Sequence, residues 1–61
     1  MVDAAVLVRS ARERAGLSAR DLATRCGVSA STVTRIERGE INPTVAMLER
    51  LVEASGNDLV I

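Results

Sequence analysis

Apolar residues recur every three or four positions along this chain, the period of helices with one buried face. Between about Asp3 and Ala15, the residues Val8, Ala11 and Ala15 form such a stripe, and Ala4 and Leu7 extend it backwards. Arg9, Arg12, Glu13 and Arg14 cover its flanks. Gly16 stands where a left-handed cap ends a helix, with Leu17 placed to fold back over that end. Ser18 opens a second helix as its N-cap, and Asp21 three residues on supplies a capping box with a shortened acid. Leu22, Ala23 and Cys26 share one face of this helix, which runs to about Cys26 and is interrupted by Gly27. Val28 follows as an apolar plug, and Ser29 caps a third helix that reaches about Arg38, with Val33 and Ile36 on its apolar face. Gly39 ends it. In the loop Glu40-Ile41-Asn42-Pro43, Ile41 is expected to tuck into the core. Thr44 caps a fourth helix with the stripe Val45, Leu48, Leu51 and Val52, closed by Gly56. Glu49, Arg50 and Glu53 are expected to face water, and Met47 to fill a gap at the core edge. The tail Asn57-Asp58-Leu59-Val60-Ile61 is too short for a helix, and its Leu-Val-Ile run favours an extended segment.

The pattern predicts an all-α fold: a compact four-helix bundle in a single domain over residues 1–61, without repeat, linker or low-complexity run. Its centre is the stretch from Asp21 to Ile36, two short helices joined by a turn too tight for an antiparallel helical hairpin. The small Ala23 suits a steep crossing that brings two backbones close. That combination makes a helix-turn-helix unit over about residues 19–38, the kind whose second helix enters the DNA major groove.

Sixty-one residues lie near the lower size at which a chain folds alone. Apolar content is 48%, yet Phe, Tyr and Trp are absent, so Leu, Val, Ile, Met and Ala must build the core. No apolar run approaches the roughly 20 residues of a membrane span, and no secretion signal precedes the fold, so a cytoplasmic setting is expected. Cys26, the one cysteine, excludes an internal disulfide and reads as a small core residue, with a redox switch as the other possibility. With no histidine and one cysteine, no metal cluster or nucleophile–base pair is credible, so no cofactor, metal site or catalytic residue is expected. The chain reads as a non-enzyme.

Net charge is zero, but its distribution is uneven. From Arg9 to Arg38 seven arginines face three acids, Glu13, Asp21 and Glu37, whereas from Gly39 onward Arg50 stands against Glu40, Glu49, Glu53 and Asp58. The basic half carries the helix-turn-helix, a weak electrostatic footprint of a nucleic-acid partner. Every basic residue is arginine, the side chain suited to bidentate phosphate and guanine contacts.

The residues Gly16-Leu17-Ser18, Leu22-Ala23, Gly27-Val28-Ser29, Ile36-Glu37-Arg38-Gly39, Pro43-Thr44 and Leu48 carry a resemblance covering roughly residues 6 to 56. In this spacing the chain resembles the Cro/phage-repressor type of helix-turn-helix, the xenobiotic-response-element family. The resemblance implies a bundle of four or five helices that binds a double-stranded operator, usually as a dimer. It places Ala30, Ser31, Thr34 and Arg35 against base edges, Arg35 being able to grip guanine with two bonds; the alternative for Arg35 is a solvated or phosphate-binding side chain. It places Ser18, Ala19, Arg20, Ser29, Thr32 and Arg38 near phosphates. It also implies an ion pair between Arg12 at the edge of the first helix's stripe and Glu37, which the spacing from Val33 turns inward. Many members have glutamine at the positions of Ala19 and Ala30, and the family's fifth helix is missing here or replaced by the tail.

The function expected from these readings is a sequence-specific DNA-binding transcriptional regulator, most simply a repressor. Many small members of the family are antitoxins that repress their own operon and neutralise a toxin, so a cognate toxin is a candidate partner. A homodimer is expected, with the end of the fourth helix and the apolar tail as its contact. The alternative is a helix-turn-helix protein-interaction module without specific DNA binding, a reading favoured by the two alanines and the zero net charge.

Overall fold

Each helix in the computed structural model, which describes residues 3–56, begins at a side chain that accepts a bond from an early backbone N–H. Asp3 accepts from the Ala5 amide at 3.0 Å, Ser18 from Asp21 at 3.0 Å, Ser29 from Thr32 at 3.2 Å and Thr44 from Met47 at 3.1 Å. The helices are α1 (Ala4–Arg14), α2 (Ala19–Cys26), α3 (Ala30–Glu37) and α4 (Val45–Ala54). Asp21 completes the capping box of α2 by accepting the Ser18 amide at 3.3 Å. The tail expected to be extended lies outside the described residues, among which no strand occurs.

The turn between α2 and α3 is set by Gly27, whose φ of 78° is left-handed. Its amide donates to the Ala23 carbonyl at 2.9 Å, and the amide of Val28 reaches the same carbonyl at 3.0 Å. These bonds occupy carbonyls that the end of α2 would otherwise leave without partners, and they redirect the chain within three residues to the cap at Ser29. A side chain there would meet nothing closer than the Arg50 guanidinium at 3.9 Å, so glycine is required by backbone conformation and not by space.

Val8 from α1, Leu22, Ala23 and Cys26 from α2, Val33 and Ile36 from α3, and Leu51 from α4 form one buried cluster. Leu22 and Val33 are fully buried. Met47 and Leu48 pack against this cluster as half-buried residues, as does Val28 in the turn. α1 and α2 each pack against both α3 and α4, so the α2–α3 pair is braced on two sides. Ser55, buried just past α4, donates its hydroxyl to the Val52 carbonyl at 2.6 Å.

Three sequence expectations are corrected. Ile41 remains 40% exposed, because the connection between α3 and α4 carries it over the surface instead of inward. Val45 is 73% exposed: its helical phase suits the stripe, but contact of α4 with the core begins only at Met47 and Leu48. Ala15 is exposed because α1 has already ended at Arg14 and the chain is turning away. Arg50 is exposed, as expected, and in addition donates from Nη2 to the Cys26 carbonyl at 2.8 Å.

The left-handed turn gives a direct prediction. Gly27→Ala should lower stability by about 1–2 kcal/mol, the cost of a Cβ in that conformation. At about 4–8 °C per kcal/mol for a domain this small, thermal melting should register it clearly. An unchanged Tm would mean that the turn does not depend on the left-handed residue.

Candidate nucleic-acid interface

α3 has one acid, Glu37, and its side chain is only 7% exposed. A carboxylate turned inward needs a partner, since burying it unpaired is very costly. Arg12 reaches across from α1: its Nε donates to Oε2 at 2.8 Å and its Nη2 to Oε1 at 2.9 Å. This is a two-bond fork, the geometry that planar guanidinium and carboxylate groups favour. The third donor, Nη1, binds the Leu17 carbonyl at 2.9 Å and so ties the α1–α2 turn into the same joint. Hydrogen bonding to Glu37 holds the Arg12 guanidinium to its proton more tightly than usual, against the opposing effect of burial. Arg9 adds a long contact to Glu37 at 3.7 Å while remaining largely exposed.

With its acid turned inward, α3 presents Ser31 and Arg35 to solvent, four residues apart and so on one face. Thr34 and Ala30 lie half-buried at the edge of that face. The Thr34 hydroxyl donates to the Ala30 carbonyl at 3.0 Å, leaving its oxygen as an acceptor. The Ala30 methyl packs partly on the core.

At the start of α3, the Ser29 hydroxyl lies 3.1 Å from that of Ser31 and 2.8 Å from that of Thr32. The structure therefore brings these three together. Ser18 is exposed and Arg20 beside it projects into solvent, while Ala19 packs partly against the core. By helix geometry, the N–H groups of Ala19 and Arg20 point out of the start of α2. Arg38 sits apart at the end of α3, exposed and 3.7 Å from an equally solvated Glu40. Such a pair contributes little.

Sequence reasoning missed Arg50 and the second cation at Glu37, Arg9. Arg50 directly precedes the buried Leu51, and that position at the edge of a stripe was the available signal. Cys26 is buried as a thiol within the core cluster. Among the described residues no grouping of His, Cys, Asp and Glu could hold a metal ion, and no helix is long and apolar enough to cross a membrane.

The profile of the helix-turn-helix domain family matches residues 3–59, nearly the whole chain. This chain belongs to that family. Within it, the helix-turn-helix domain is of the Cro/phage-repressor type. It is 44% identical over 52 residues to a Pyrobaculum aerophilum protein provisionally named an HTH-type transcriptional regulatory protein, covering 85% of this chain and 21% of that relative. It is 33% identical over 52 residues to an uncharacterised HTH-type transcriptional regulator of Methanothermobacter thermautotrophicus, covering 85% and 75% of the two chains. The domain thus spans about a fifth of the first relative's length and three quarters of the second's. No solved structure matches it.

The Arg12–Glu37 joint predicts a non-additive pattern. Arg12→Ala or Glu37→Ala should each cost roughly 3–5 kcal/mol, because the remaining partner is left buried and unpaired. Arg12, the partner that Glu37→Ala leaves behind, is 18% exposed and keeps its bond to the Leu17 carbonyl, which places that variant towards the lower end. The double variant should cost less than the sum of the two. Melting curves for the three variants decide it, and small additive shifts would mean the pair does not hold α3.

Proposed function

We propose that this helix-turn-helix domain is the sequence-specific DNA-binding part of a transcriptional regulator, reading the major groove with α3. The observation that carries the proposal is the charge placement on that helix. Its acid is turned inward and neutralised by Arg12, while Ser31 and Arg35 occupy the solvent face. Phosphates along the groove repel carboxylates, so an outer surface without one favours entry, and α3 has such a surface.

In this reading Arg35 is the principal base reader, donating two bonds to guanine O6 and N7. Ser31 and Thr34 supply further polar contacts, and the Ala30 methyl meets a thymine methyl. Ser18, Ser29 and Thr32, the backbone N–H groups of Ala19 and Arg20, and the side chains of Arg20 and Arg38 hold the phosphates. Alanine at 19 and 30 leaves no side-chain amide to clamp a phosphate or read adenine, so discrimination concentrates on Arg35.

The biological role that follows most simply is repression, by occupying a promoter in the cytoplasm. The protein acts as a homodimer, because one short helix covers few base pairs and two-fold pairing sets two of them about 34–36 Å apart along the duplex. Pairing with a toxin, as antitoxin and autorepressor, is a specific form of the same role.

Selection of bound duplexes from a random pool, at stated salt, tests this function. Enrichment of one half-site supports it. Weak, salt-sensitive binding without enrichment would favour a protein-interaction module instead.

On the selected site, Arg35→Ala should lose about 1–3 kcal/mol and relax one base position. Arg38→Ala should weaken selected and random duplexes alike, as a phosphate contact does. Equal losses on both duplexes for Arg35→Ala would remove it as the base reader.

Stoichiometry is a separate test. Light scattering of the complex on the full selected site should give two chains per duplex. A strictly 1:1 complex would reject the dimer.

A further inference from the structure

The Arg12–Glu37 joint fixes the C-terminal end of α3 on α1, and a second polar link lies at the end of α2, just before the turn that leads into α3. Arg50, on α4, donates from Nη2 to the carbonyl of Cys26, the last residue of α2, at 2.8 Å and across 24 positions of sequence. That carbonyl belongs to the negative pole of α2, where a cation is favoured. The guanidinium also lies over the turn itself, since the same Nη2 is 3.9 Å from where a Cβ on Gly27 would stand. The core cluster that α2 and α3 share is apolar, and apolar contact has no direction. A charged hydrogen bond does have one, so it can set an angle that the core alone leaves soft.

We infer that Arg50 is a positioning residue for base reading. From α4 it clamps the α2–α3 turn, and so holds the start of α3 at the angle its exposed face needs. The inference rests on the proposed DNA-reading role of α3. In its simplest form, two scaffold helices each lend one arginine, one to the end of α3 and the other to the end of α2 that leads into it.

The test uses the duplex that the wild-type chain selects from a random pool, compared with the unselected pool. The readout is the ratio of the two affinities, taken where circular dichroism shows every variant fully folded. Arg50→Ala should lower that ratio about tenfold, within the roughly 5- to 150-fold that one bidentate base contact supplies. The loss should centre on the base read by Arg35, with pool affinity little changed. Arg50→Lys keeps a cation for the same carbonyl and should restore most of the ratio. If Arg50→Ala is not fully folded at any usable temperature, Arg50→Gln, which keeps part of the apolar stem, carries the same test. A lower Tm with an unchanged ratio would leave Arg50 a stabilising residue only and overturn the inference. Equal losses on selected and pool DNA would make it a phosphate contact and overturn it too. A wild-type chain that selects no duplex would instead overturn the DNA-reading role itself, a separate result.

Discussion

A carboxylate turned into the body of a small domain constrains everything around it, and Glu37 is that carboxylate here. Its charge must be matched by a group that can reach it from another helix and satisfy both oxygens. Arg12 does this with two bonds and uses a third to hold the Leu17 carbonyl in the turn after α1. One guanidinium therefore joins α1, the α1–α2 turn and α3 in a fixed mutual geometry. Replacing such a pair with apolar residues need not weaken a fold, so its value lies as much in defining one arrangement as in stability. The outer face of α3, free of carboxylate, is the other side of the same choice.

The core that this joint sits beside is built without an aromatic ring. Branched and unbranched aliphatic side chains bury less area each than aromatics do, so the helices must come close for the space between them to fill. Ala23, almost fully buried, serves that requirement by letting α3 approach α2. The left-handed Gly27 then makes the steep change of direction that such an approach demands. Small residue, tight turn and aliphatic core are thus one solution to one geometric problem.

Much of this was legible in the sequence, because the signals were local. Ser18 with Asp21, Ser29 and Thr44 are cap residues whose partners lie within three positions, and each caps as its spacing predicts. Leu22, Ala23, Cys26, Val33, Ile36 and Leu51 share helical phase and share the core. Periodicity reports which way a side chain points, not whether anything lies opposite. Val45 has the phase of a core residue but precedes the part of α4 that meets the core, and Ile41 lies in a connection to which no period applies. Arg50 was hidden for the complementary reason: its partner is a backbone carbonyl 24 residues away, and a carbonyl leaves no mark in the sequence. On the candidate interface, phase places Ser31 and Arg35 on one exposed face, whereas the packing of Ala19 and Ala30 against the core needed the assembled helices.

The connections between helices are short: four residues separate α1 from α2, three separate α2 from α3, and seven separate α3 from α4. Little chain entropy is therefore spent in bringing neighbouring elements together. Helical domains dominated by such local closures have low contact order and belong to the class that folds in microseconds to milliseconds. For a domain of this size, the same brevity implies that the whole bundle can open and re-form quickly. A nascent or transiently opened chain would regain the arrangement of α2 and α3 within that time.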